Sequence, residues 1–246
     1  MTSVAVYSPK GGVGKTSIAV NLAHLSASSH VPTLLWDIDA QGAAGYLLNK
    51  DRCGSQACQV FSREARANEL AAPTDYPQLD LLAADTSLRR LDFQLIEDDA
   101  RKRLRKLVRG LDPYYRRIVL DCPPGMSEIS EQVFRAVDLV VIPVLPSPLS
   151  LRAYHEAVHH IRWKYPGRPD VLPVLSMVDM RRKLHRELLD AHPRWHAIPQ
   201  ASAVERMAVK RAPLTAFAPR HPATLAFFGL WAEVSLRLRA VERGPI

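Results

Sequence analysis

Val4-Ala-Val-Tyr-Ser-Pro-Lys-Gly-Gly-Val-Gly-Lys-Thr16, running on into Ser17-Ile-Ala-Val-Asn-Leu-Ala-His24, is the stretch on which the fold of this chain turns. Residues 4–7 read as a short buried strand, residues 8–16 as a glycine-rich loop, and the following segment as an amphipathic helix. Gly11, Gly12 and Gly14 lack a Cβ, so the loop can close tightly and point successive backbone N–H groups into one concavity. The helix adds the positive end of its dipole at the same place. Such a cradle suits the phosphates of a nucleotide. Lys10, Gly11, Gly12, Val13, Gly14, Lys15, Thr16 and Ser17 form the candidate phosphate-binding stretch; Lys15 can reach the β- and γ-phosphates and the Thr16 hydroxyl can ligate Mg²⁺.

Length and composition set the limits outside this loop. The chain has 246 residues, 47% of them hydrophobic, enough for a sizeable core, and no linker divides it. The expectation is therefore one P-loop NTPase domain over residues 1–246, an α/β fold with a mostly parallel twisted sheet and helices on both faces. No apolar run reaches the roughly 18 residues that span a bilayer, and the N-terminal residues carry no signal-peptide pattern. The three cysteines, Cys53, Cys58 and Cys122, are few and odd in number, as in reduced cytosolic proteins, and the C-x₄-C spacing is not that of a zinc or redox site. A formal charge of +8 is compatible with nucleic acid or an anionic membrane surface and does not choose between them.

Strand and helix alternate along the chain. Residues 32–36 read as a second strand, ending in Asp37-Ile-Asp-Ala-Gln-Gly42, with Asp37 and Asp39 on one side of extended backbone. Carboxylates at the carboxyl end of a parallel strand lie where open α/β sheets bind ligands. Residues 79–83 give a further strand, residues 59–70 helical patches, and residues 87–110 one long helix whose Arg101–Lys106 cluster reads as a solvated face. Residues 116–121 form a β-branched strand ending in Asp121-Cys-Pro-Pro-Gly125; there Asp121 would hold Mg²⁺ through a water. Residues 138–145, an almost unbroken apolar run, fit a strand buried on both faces. His155-Glu-Ala-Val-His159 matches H-E-x-x-H letter for letter, but no third ligand is evident and a chance match is the better reading. Residues 170–178 give a strand followed by a basic helix, and the closing helix, residues 221–243, carries an apolar stripe of Leu225, Phe228, Trp231, Val234, Leu238 and Val241.

The two-lysine loop K-G-G-V-G-K-T, the D-I-D-A-Q-G box and the D-C-P-P-G strand end, in that order, resemble the ParA/MinD family of dimeric ATPases with a deviant Walker A motif, most closely its partition branch. Pro9 stands where the general P-loop has its first glycine, and Ala40 where the family has proline. The resemblance runs from Val4 to the final helix and is weak between residues 49 and 110. It implies ATP and Mg²⁺ as cofactors and a weak intrinsic ATP hydrolase activity stimulated by a partner. Two subunits would close on ATP as a homodimer, with Lys10 reaching the partner's nucleotide. Lys10, Lys15 and Asp39 would be catalytic, Asp39 by orienting the attacking water. Thr16, Asp37 and Asp121 would form the metal site. Met177 and Pro199 would flank the adenine, and Arg181, Arg182, Lys183, Arg186, Lys210 and Arg211 would contact DNA phosphates without regard to sequence. The partner would be a ParB-like or cargo adaptor protein, and the location cytoplasmic on the nucleoid. Starting at its first strand, the chain would be expected to lack the operator-reading extension of some larger partition ATPases. The rivals are a MinD-like membrane-surface ATPase using the C-terminal helix, and a metabolic P-loop enzyme such as a ligase or a metal-cluster carrier; the carrier would need a C-x-x-C that is absent. Otherwise the last helix packs on the sheet, with no stable membrane association.

Overall fold

In the computed structural model, which describes residues 1–50, 57–62, 64–90 and 102–243, the alternation of apolar strands and helices becomes an eight-stranded sheet. In chain order the elements are β1 (Thr2–Val6), α1 (Lys15–Ser28), β2 (Thr33–Asp37), α2 (Ala43–Leu47), α3 (Ala57–Ser62), α4 (Ala67–Leu70), β3 (Ala72–Pro73) and β4 (Leu79–Leu82). A 3₁₀ turn over Thr86–Arg90 precedes α5 (Arg103–Gly110), β5 (Arg117–Asp121), α6 (Glu128–Ala136), β6 (Leu139–Val144) and α7 (Pro148–Lys164). The chain ends with β7 (Asp170–Val178), α8 (Lys183–Ala191), β8 (His196–Pro199), α9 (Ser202–Lys210), α10 (Leu214–Phe217) and α11 (Pro222–Arg243).

The strand order is β3-β4-β2-β5-β1-β6-β7-β8, parallel throughout except for the two-residue β3, which caps one edge antiparallel to β4. β1 lies between β5 and β6, so the chain winds first to one side and then to the other. That reversal places the carboxyl ends of β1, β2 and β5 side by side, the usual ligand crevice of such sheets. Every residue of β1, β2, β5 and β6 is buried. Their side chains alternate between two cores: Ala5 and Tyr7 point to the one with Phe61, Leu104, Phe134 and Ile161, Val4 and Val6 to the one with Leu22, Met207, Phe227 and Leu230. A strand with both faces buried reads as continuous apolar sequence, and each layer takes about half of it.

Two sequence expectations change. The long helix over residues 87–110 is not a single α-helix: residues 86–90 form a 3₁₀ turn in which Asp85 accepts from the Ser87 amide (2.8 Å), and among the described residues the α-helix covers only Arg103–Gly110. Part of that reading, including Arg101, lies outside the described residues, as does Cys53. The last helix is rotated relative to the expected stripe. Its buried face is Ala223, Phe227, Leu230, Val234 and Leu238, while Leu225 and Phe228 are exposed. Residues 225 and 228 cannot share one face with 227, 230 and 234 at 100° per residue, and the larger burial is achieved by the second set.

Candidate nucleotide site and basic surfaces

The loop between β1 and α1 turns on two glycines in the left-handed region, Gly12 (φ 69°) and Gly14 (φ 86°), the latter being the residue before α1. Side chains strain there, and a Cβ on Gly14 would also approach the Ser176 hydroxyl to 3.3 Å. No side chain caps α1, so the loop leaves its first N–H groups for a ligand. Lys15 is buried and donates to the carbonyl of Lys10 at 3.2 Å. Burial holds its ammonium below the ordinary lysine range, opposed by the charges of Asp121 and Asp39. Lys10 itself is half-buried, and its ammonium has no partner among the described residues.

Facing Lys15 are the ends of β2 and β5, where Asp37 and Asp121 sit in register on adjacent strands. Asp37 is wholly buried and accepts from the Asp39 and Ala44 amides, both at 3.0 Å, so it shapes the turn that carries Asp39. Burial and the nearby Asp121 charge push its carboxyl well above the usual range. Asp39 lies half-buried at the rim and accepts from the Gln41 amide (3.0 Å). Both Asp121 oxygens are buried without a hydrogen-bond partner of good geometry among the described residues. Burial pushes the Asp121 carboxyl up to about 7, with Asp39 adding to the push and the Thr16 hydroxyl and Lys15 ammonium opposing it. A buried carboxylate with both oxygens orphaned, next to a hydroxyl, is a hard-oxygen donor set that fits Mg²⁺. Thr16 and Asp121 would hold such an ion, Asp37 would support its water shell, and the ion would supply charge neutralisation to the phosphates. Burial, then the Asp121 charge, pushes the Cys122 thiol well up, which removes it as a nucleophile.

Beside the loop, a groove lined by Gly14, Ser17, Met177 and Pro199 is completed by Ser176, Gln200 and Glu205. Sequence reasoning found Met177 and Pro199 and missed the other three. Ser176 arrives through a bulge, where β7 and β8 slip register between Leu175 and Val178 with Met177 at φ 57°, while Gln200 follows β8 and Glu205 comes from α9. A glycine would have signalled such a bend, and none is present.

A family model described as an AAA domain matches residues 1–164. The chromosome partitioning protein ParA of Myxococcus xanthus is 31% identical over 194 residues, covering 76% of this chain and 69% of its own. The chain belongs to the ParA/MinD family of ATPases. Among solved structures, apo McdA of Cyanothece is similar with a TM-score of 0.82 at 16% identity, over 95% of this chain and 98% of McdA. The septum site-determining protein MinD of Pyrococcus horikoshii, solved with Mg-ADP, gives 0.78 at 17% identity, over 95% of each chain.

The basic residues of this ParA/MinD-family chain do not form one free set. Arg181 is tied to Asp179 by two hydrogen bonds of 2.9 Å, and these hold the Asp179 carboxyl down at about 2. Arg186 donates to the Met180 carbonyl (2.7 Å), and Lys183 lies 3.6 Å from Glu187. Arg211 stacks on the Tyr46 ring at 4.6 Å and bonds the Tyr46 carbonyl, so it belongs to the α9–α2 packing, with Lys210 beside it. Arg182, at the turn into α8, is exposed with no ion pair among the described residues. In the H-E-x-x-H segment, Glu156 pairs with Arg152 (2.8 Å) and His155 packs on Tyr154, on the exposed side of α7.

Proposed function

We propose that this chain is a nucleotide-operated positioning ATPase. ATP with Mg²⁺ occupies the P-loop, two subunits close on it face to face, and the ATP-bound dimer binds DNA without sequence preference. Hydrolysis, weak alone, is stimulated by a ParB-like or cargo adaptor protein and resets the subunit, so chemistry at one site is linked to affinity at another. The cell location that follows is the cytoplasm, on the nucleoid.

One observation carries this reading. The two lysines of the loop behave differently: Lys15 is turned into its own site, whereas Lys10 gives that site only its carbonyl and keeps its ammonium unengaged. A cation at the mouth of a phosphate cradle, with no partner among the described residues, suits a partner's triphosphate. The chromosome-partitioning name of the Myxococcus relative supports the cargo role. The test measures mass in solution and DNA retention with a non-hydrolysable ATP analogue, with ADP and with neither. Dimers and retention should require the analogue, and Lys10→Ala should abolish the dimer while ADP binding persists. Equal retention in all three states sinks the proposal.

A second reading has an observation of its own. Leu225, Phe228 and Leu236 form an exposed apolar stripe on α11, although no helix among the described residues is long and apolar enough to cross a membrane. A membrane-surface ATPase would lay that stripe on lipid. Flotation with anionic vesicles in the presence of the ATP analogue separates the two: vesicle binding that disappears in Phe228→Ser would favour this alternative.

A further inference from the structure

At the foot of the sheet, where β1, β2 and β5 begin, a cavity of about 490 Å³ opens between residues 29–32, Arg116 and the C-terminal half of α11. From α11 it takes Trp231, Ser235, Arg239 and Glu242, which share one face of the helix. Arg117, the first residue of β5, forms its inner wall and is only 7% exposed. One guanidinium nitrogen of Arg117 donates to the Thr2 hydroxyl, and the group stands 5.7 Å from the centre of the Trp231 ring, but its Nε–H has no acceptor among the described residues. The Ser235 hydroxyl, also buried in this wall, has no partner among the described residues either. Two unpartnered buried polar groups in one cavity are uncommon, since such groups normally find a partner.

The charge lining the cavity is mixed but net positive. Arg116 and Arg239 are exposed and have no carboxylate partner among the described residues, while Glu242, the cavity's acid, sits 3.4 Å from the Thr2 hydroxyl. Burial holds the Arg117 guanidinium below its ordinary range; the Glu242 and Asp138 charges oppose that shift, and the Arg239 and Arg116 charges add to it. Three arginines, a hydroxyl and one carboxylate leave a net positive cavity whose free hydrogens are all donors. Arginine forks match the oxygens of phosphate in spacing and charge. The space exceeds a bare phosphate ion and is of the size that holds small organic ligands, with Trp231 as an apolar wall.

We infer that this cavity is a binding site for a small phosphate ester, held by Arg117, Arg116, Arg239 and Ser235. It is separate from the P-loop: Arg117 and Asp121 stand at opposite ends of β5. The test uses protein saturated with Mg-ADP, so that the P-loop is filled, at fixed ionic strength. Phenyl phosphate and inorganic phosphate are titrated in, and the indole N–H resonance of Trp231, assigned with Trp231→Phe, is followed. Both probes should shift it saturably, phenyl phosphate at lower concentration. Arg116→Ala with Arg239→Ala, both at exposed positions, should weaken binding about tenfold or more. Ser235→Ala should weaken it as well, and both variants keep their ADP affinity. An absent or non-saturable shift, or the double variant binding as the parent does, overturns the inference. So does displacement of the probe by duplex DNA, which would make the ligand a backbone phosphate.

Discussion

Gly14 has two duties: its φ of 86° lets the chain leave the loop, and its missing Cβ admits Ser176 from β7. Gly14→Ala should therefore cost about 1–2 kcal/mol of backbone strain and tilt the loop away from the groove at Met177 and Pro199. The expected result is a modest drop in thermal midpoint and a much larger loss of ATP affinity, read by calorimetry on the same preparation. His24 gives a pH prediction. It is half-buried in α1, bonded to the Thr215 hydroxyl at 2.7 Å and edge-on to Tyr76, and partial burial holds its pKa below the ordinary 6.5. The folded chain thus takes up this proton less readily than the unfolded chain, so protonation favours unfolding. This contribution to stability is complete above pH 6.5 and falls away as the pH drops below it. Denaturant melts from pH 7.5 to 5 should show that slope, and His24→Gln should flatten it; an unchanged slope refutes the assignment.

The last helix shows where sequence reading stops at the scale of an element. Its length was legible, because Pro222 opens it and apolar residues persist to the end. Its rotation was not: two apolar stripes compete, and only the sheet below decides that Phe227 and Leu230 go in while Leu225 and Phe228 stay out. Phe227→Ala should cost about 3–5 kcal/mol and Phe228→Ala within about 0.5 kcal/mol, a contrast that urea melts read directly. The P-loop, the β2 and β5 strand ends and their aspartates were legible because each carries its chemistry in adjacent residues. Ser176, Gln200 and Glu205 were not, since a β7 bulge, the end of β8 and the first turns of α9 bring them together only in the folded chain. Arg117 read as one more strand residue; its burial comes from α11, over a hundred positions later in the chain.

For the whole molecule, a charge of +8 is only a count, and the pairing of Arg181 with Asp179 shows how little of it need be available. If the ATP-bound dimer grips phosphates through Arg182 and Arg186, changing both to Glu should weaken DNA binding evenly across sequences. The slope of log K against log salt should then fall by about 0.9 for each phosphate no longer neutralised. A slope identical to the parent's would place the DNA elsewhere on the surface. The sheet order has a different consequence, for synthesis. β1 is the middle of the finished sheet, yet its neighbours are Arg117–Asp121 on one side and Leu139–Val144 on the other. On the ribosome these five buried residues therefore wait, unpaired and sticky, while more than a hundred further residues are translated. Closure of such distant pairs is slow, and the newborn chain is most exposed to aggregation during that wait.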